Sequence, residues 1–120
     1  MKRNDKRIRT FFNYLQKRIK LRQKVRLILS KKRDSEDYAI TIPAEEDDGE
    51  LLIIIYKAFH DEKMDSLTHE YAHVIRMVKD DYRAGHSKKW GIEYAKVYRK
   101  YEEFLKLENQ SNIKKFFHRE

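Results

Sequence analysis

The stretch Ser66–Ile75 reads S-L-T-H-E-Y-A-H-V-I and places His69, Glu70 and His73 in the spacing H-E-x-x-H. Helical residues four apart share a face, one turn apart. A helix here therefore directs two imidazoles to one point. With the adjacent carboxylate, that spacing predicts a zinc site in which Glu70 can take a proton from a metal-bound water, whose pKa zinc lowers to about 7. Catalytic zinc normally has three protein ligands and one open position, so a third ligand must come from elsewhere in the chain. Leu67, Tyr71, Ala72, Val74 and Ile75 are uncharged and give the helix a side that can be buried. The competing reading is an amphipathic helix with two surface histidines. Charged residues at those five positions would favour it, and none is there.

The 120 residues correspond to one domain, 1–120. There is no cysteine, which removes disulfides and thiolate metal sites and leaves histidine and carboxylate as ligands. That donor set suits catalytic zinc better than structural zinc. No apolar segment follows the basic start, so no signal peptide is expected. The longest apolar run, Leu51–Tyr56, is too short to span a membrane, and a cytoplasmic protein is expected. The net charge of +8 is unevenly placed, with +13 in residues 1–33 and −5 in the remainder. Such a basic end fits an anionic partner, a nucleic acid or a charged protein surface, with Arg7, Arg9, Lys17, Arg18 and Lys20 as candidate contacts. A solvated helix face is the plainer alternative, and no nucleic-acid reading motif accompanies the charge.

Apolar spacing predicts a basic helix over 5–23, with Ile8, Phe11, Phe12, Leu15 and Ile19 on one stripe. A sheet region spans 24–59. Val25, Leu27 and Leu29 alternate in a first strand. Tyr38, Ile40 and Ile42 alternate in a second, stopped by Pro43, and Leu51–Phe59 forms a third. The acidic run Ala44–Glu50 lacks the ligand spacing of an EF-hand loop and reads as a solvated loop. The third strand is the expected edge for an extended substrate. His60 reads as a loop histidine outside the site. The motif helix is expected over 65–79, capped by Asp65 or Ser66. A break at 80–85 leads to a second long helix over 87–107, with Trp90, Tyr94, Val97, Tyr101 and Leu105 as its stripe, and Asn112–His118 reads as a separate short helix. No repeat or linker divides the chain. The fold class is α+β: an N-terminal helix, a small, mainly antiparallel three-stranded sheet, the motif helix and a second long C-terminal helix.

Two residues compete for the third ligand position. His86 follows His73 by 13 residues and Glu93 by 20, and they lie seven apart. A metzincin pattern is excluded, because its glycine and third histidine would stand where this chain has Arg76 and Lys79. T-H-E-Y-A-H-V-I, then G-H-S-K-K-W, then a tyrosine-rich helix, resembles the SprT-like zinc metallopeptidases over about residues 50–105. It is also similar to small metallopeptidases encoded by bacteriophages. The resemblance implies a minimal zincin fold and one zinc ion per chain, held by His69, His73 and His86. It further implies Glu70 as general base and Trp90 as the aromatic that packs the second helix on the first. Substrates would be proteins or peptides, in the best-known branch proteins bound to DNA, and the host cytoplasm would be the compartment of a phage-encoded member. Three features depart from that pattern: Gly85 precedes His86 instead of following it, no cysteine-type zinc ribbon is present, and Glu93 keeps a spacing like that of the gluzincin zinc glutamate.

The functional expectation is thus a zinc metallopeptidase, with Tyr94 or Tyr98 as candidate oxyanion donors. The alternatives are a non-catalytic basic binding or assembly protein on the same scaffold, and a hydrolase of non-peptide amides.

Overall fold

Five successive apolar residues, Leu51–Ile55, need cover on both faces and both edges. In the computed structural model they form the middle strand of the sheet. The structure describes residues 3–33, 38–43, 49–58, 60–79 and 86–118. The elements run α1 (Arg3–Arg18), β1 (Val25–Leu29), β2 (Ala39–Ile42), β3 (Leu51–Ile55), α2 (His60–Val78) and α3 (Lys88–His118). The fold is α+β, as the sequence predicts. None of the described helices is long and apolar enough to cross a membrane.

Strand order is β1-β3-β2, with β1 parallel and β2 antiparallel to β3. The sheet is therefore mixed and not mainly antiparallel. β3 is also not an edge: the edges are β1 and β2. The reason is burial, since the most apolar strand takes the centre, with Leu51, Ile53 and Ile55 at 0–1 % exposure. β3 stops at Ile55, not Phe59, because its partners end there. The Tyr56 and Lys57 amides instead donate to the carbonyls of Tyr38 and Lys32. In β2 the register pairs Ala39 with Ile55 and Thr41 with Ile53 on the core face. The Ile40–Ile42 alternation accordingly marks the outer face, beside half-buried Ile54 and Leu52.

α1 buries Ile8, Phe11, Phe12 and Leu15, spaced for one helical face. Asp5 in its first turn and Lys17 and Arg18 in its last complement the helix dipole. It ends at Arg18, five residues earlier than the apolar spacing suggests. The Ile19 carbonyl accepts the Tyr71 hydroxyl at 3.2 Å, and the chain turns there towards β1. Phe11 packs on Tyr101 and Phe104 of α3, each at 5.1 Å between ring centroids. Phe12 meets Tyr71 of α2 edge-on at 6.3 Å. Arg7 donates twice to the Glu108 carboxylate, at 2.7 and 2.8 Å. This part-exposed pair adds at most about 1 kcal/mol and mainly sets how α1 lies along α3.

α2 begins at His60, not at an Asp65 or Ser66 cap. Met64 is fully buried and starts the stripe continued by Leu67, Thr68, Tyr71, Val74, Ile75 and Val78, so the helix extends a turn upstream to bury it. α3 is one continuous helix to His118, which merges the expected short tail helix into it. The side chains of Ile113, Phe116 and Phe117 lie outside the described residues, as does Gly85.

Phe11 is fully buried between two rings of α3. Phe11→Ala is expected to cost about 3–5 kcal/mol in urea unfolding, the range for a buried aromatic that leaves a cavity.

Candidate metal centre

With the apolar stripe of α2 turned inward, the helical period places His69 and His73 together on its other side, both half-buried. α3 brings the rest. His86 stands just before its first turn, where the Ser87 hydroxyl accepts the Trp90 amide at 3.2 Å and caps the helix. The Nε2 atoms of His69 and His73 are 3.3 Å apart, and those of His69 and His86 3.0 Å apart. One ring nitrogen from each of the three lies within 4.8 Å of the others. Tetrahedral ligands at zinc–nitrogen distances of about 2.0–2.1 Å stand about 3.3 Å apart, so these separations suit a single small cation.

The environment keeps the His69 and His73 imidazoles ready to donate. Burial pushes the His73 pKa down from 6.5 to about 4, with the neighbouring His69 and His86 charges adding to the fall. Burial also lowers His69, as does His86, while Asp65 opposes the change. Neutral imidazole is the form that binds a metal. The donor set of three nitrogens, with His86 exposed at the mouth, can therefore hold a divalent ion and leave a coordination position open.

Trp90 packs against all three histidines, with ring centroids 4.9 Å from His69, 5.3 Å from His73 and 4.5 Å from His86. Its indole N–H is buried with no partner among the described residues. A buried unpaired donor costs about 1–3 kcal/mol, so ring contacts hold the indole in place against that cost. Tyr94 stacks on Trp90 at 5.0 Å and donates its hydroxyl to Asp65 at 3.2 Å. Burial and the Asp65 carboxylate push the Tyr94 pKa up to about 12, which keeps the phenol protonated. Tyr98 lies a further 6.1 Å from Tyr94 and is 42 % exposed.

Glu70 is 6 % exposed, and its Oε2 lies 3.9 Å from His69 Nε2. Its Oε1 accepts the Thr41 hydroxyl at 3.2 Å, which ties the motif helix to β2. Glu93, the alternative third ligand, is equally buried but turned elsewhere. Its carboxylate pairs with Lys79 at 3.1 Å and Lys96 at 3.6 Å and is not among the ligand atoms that gather at the histidines. Of the basic candidates, Arg7 is engaged by Glu108, Arg9 reaches the Leu27 carbonyl at 3.5 Å, and Lys17, Arg18 and Lys20 are exposed.

Thr41, Asp65 and the indole's contact with all three rings are not visible in the motif. Thr41 sits 29 residues before Glu70, and only strand register brings the two together. Asp65 carries a sequence signal, four residues before His69 on the same helical face, but reads there as a cap.

Fold and site together define an α+β protein with a tri-histidine cluster able to hold a metal ion. Comparison with protein-family models, curated proteins and solved structures gives no match to the chain.

Two outcomes are expected. Trp90 is the only tryptophan, so cobalt(II) or copper(II) should quench the intrinsic fluorescence with one-to-one stoichiometry, and His86→Ala should weaken that titration at least tenfold. The pH dependence follows from the lowered histidines. The unfolded chain takes up protons as pH falls through 6.5, while the folded chain resists until about 4 at His73. Metal-free protein should therefore lose stability progressively from pH 6.5 towards 4. Thermal melts at pH 7.0 and 5.5 should differ less for His73→Gln than for the unaltered chain.

Proposed function

We propose that the chain is a zinc-dependent metallopeptidase of the SprT-like kind, with His69, His73 and His86 holding one zinc ion and Glu70 as general base. The observation that carries this reading is the convergence of three imidazole nitrogens from α2 and α3 beside a buried carboxylate. A bound zinc would supply Lewis acidity there, activating water and polarising the scissile carbonyl. The Thr41 hydroxyl holds Glu70 Oε1, and Oε2, which faces His69, would take a proton from the water and pass it to the leaving amine. β2 is the edge strand nearest Glu70, so an extended peptide pairing with its free edge would lie alongside the site. Of the two tyrosines, Tyr94 is the better oxyanion donor. Its ring is 6.1 Å from His69, and its hydroxyl would turn from Asp65 to reach an oxyanion.

One observation favours a second reading. The Thr41–Glu70 hydrogen bond lets Glu70 serve as a strut between helix and strand, which a non-catalytic binding protein on this scaffold would also need.

Glu70→Gln separates the two, because an amide oxygen still accepts from Thr41 but cannot take a proton. As a peptidase, zinc-loaded Glu70→Gln should keep its metal and lose about 10²–10⁴-fold in turnover of unfolded protein substrates. His86→Ala should lose both metal and turnover. An unaltered chain that binds zinc yet cleaves no peptide in a broad library would leave the binding protein standing and sink the peptidase.

A further inference from the structure

The second free edge of the sheet carries a separate feature. Between Lys17 and Arg33 the chain has nine Lys and Arg residues and no acidic residue, and all nine are exposed. They run from the last turn of α1 through the connection and along β1 to the turn beyond it. The ribbon lies within the basic first 33 residues and includes Lys17, Arg18 and Lys20 of the candidates named from sequence. Arg7 is committed to Glu108, and the exposed charge lies further along the chain.

At its centre is a groove between α1 and the free edge of β1, lined by Arg9, Gln16, Lys24 and Arg26, with Glu50 as the one acid among the described lining residues. The backbone there is polarised by register. The Lys24 carbonyl and the Ser30 amide bond to β3, so in a parallel pair Val25, Leu27 and Leu29 turn their amides and carbonyls to the free edge. Two of those carbonyls are already satisfied from α1. Gln16 donates to Val25 at 3.3 Å and Arg9 to Leu27 at 3.5 Å. With two of the three outward carbonyls covered, the edge presents mainly N–H groups among cations, the arrangement that receives anionic oxygens.

We propose that this ribbon, centred on the α1–β1 groove, is a docking surface for the phosphodiester backbone of a nucleic acid. Charge complementarity along an extended line favours a linear polyanion. Among the described residues the exposed large apolar side chains, Tyr38, Ile42, Ile92, Tyr98 and Leu107, all lie outside the ribbon, which therefore carries no such anchor for a lipid surface. The groove holds no base-reading motif, and binding is through phosphates, without sequence preference. It flanks β1, whereas Glu70 is tied to β2 at the opposite edge, so a bound strand leaves the histidines uncovered. The inference does not rest on the peptidase reading.

The test is fluorescence anisotropy of labelled single-stranded and duplex oligonucleotides of mixed sequence with the full chain, over a range of salt. Affinity should fall linearly on a log–log salt plot, by about 0.9 per phosphate neutralised on duplex. Lys24→Glu with Arg26→Glu should weaken binding at least tenfold and flatten the slope. Lys88→Glu with Lys106→Glu makes the same change in net charge on exposed positions of α3 and should alter affinity less than threefold. Should the strand variant lose its fold by circular dichroism, Lys17→Glu with Lys20→Glu carries the same comparison. Equal losses from ribbon and control pairs would reduce the effect to net charge and overturn the proposal. So would absence of binding at low salt, or equal competition by polyglutamate of matched charge, which would assign the surface to an acidic protein. Binding that survives His73→Ala and chelator supports it whatever becomes of the metal site.

Discussion

The structure depends on the burial of one side of α2. Met64, Leu67, Thr68, Tyr71, Ala72, Val74, Ile75 and Val78 are all nearly or completely buried, and together they lock the rotation of the helix about its axis. A helix free to turn by one residue would swing its side chains through about 100° and take both motif histidines out of register with α3. The apolar stripe therefore aims His69 and His73 without touching a ligand. Tyr71 contributes at both ends, packing on Phe12 and donating to the carbonyl at the end of α1. Burial leaves its hydroxyl strongly disposed to remain protonated, as a donor must be.

The site is assembled across elements that the sheet and α1 hold in place. α3 supplies Trp90 and Tyr94 and carries His86 just before its first turn, and it is pinned to α1 by Phe11, Tyr14 and the Arg7–Glu108 pair. Buried Glu93 makes a second tie to α2 through Lys79. Its charge is compensated by cations, as a buried carboxylate requires, and that role competes with metal ligation for the same oxygens. Three imidazoles close together disfavour protonation of one another. His69 and His73 are thereby held towards the neutral form that a cation binds.

The two free edges of the sheet have different chemistry. β2 is linked to the motif helix by a side-chain hydrogen bond, and its neighbourhood is that of Glu70. β1 is flanked by α1, whose side chains cover its carbonyls and whose surroundings are basic. Edge strands invite unwanted pairing, and both the covering side chains and the lysines and arginines along β1 discourage it.

The sequence by itself determined the parts governed by short-range periodicity. The α+β class, the α1 stripe from Ile8 to Leu15, the pairing of His69 with His73 and the α3 stripe from Trp90 to Tyr101 all follow from spacings within a few turns of one element. His86 was legible as one of two candidates, because a residue near a helix start and one two turns on have similar claims from spacing alone. What separates them is where α3 crosses α2, which turns Glu93 to Lys79 and brings His86 within 3.0 Å of His69. Strand order lay beyond the sequence for the same reason. Alternation shows that a strand has two faces but not which neighbour it pairs with, and β3 moved to the centre because only there are both its edges satisfied. Tertiary structure alone decided the contacts that join distant segments: Thr41 with Glu70, Tyr94 with Asp65, and Trp90 with all three histidines. Those contacts are set by packing angles and register, quantities that depend on the whole core and leave no local pattern in the chain.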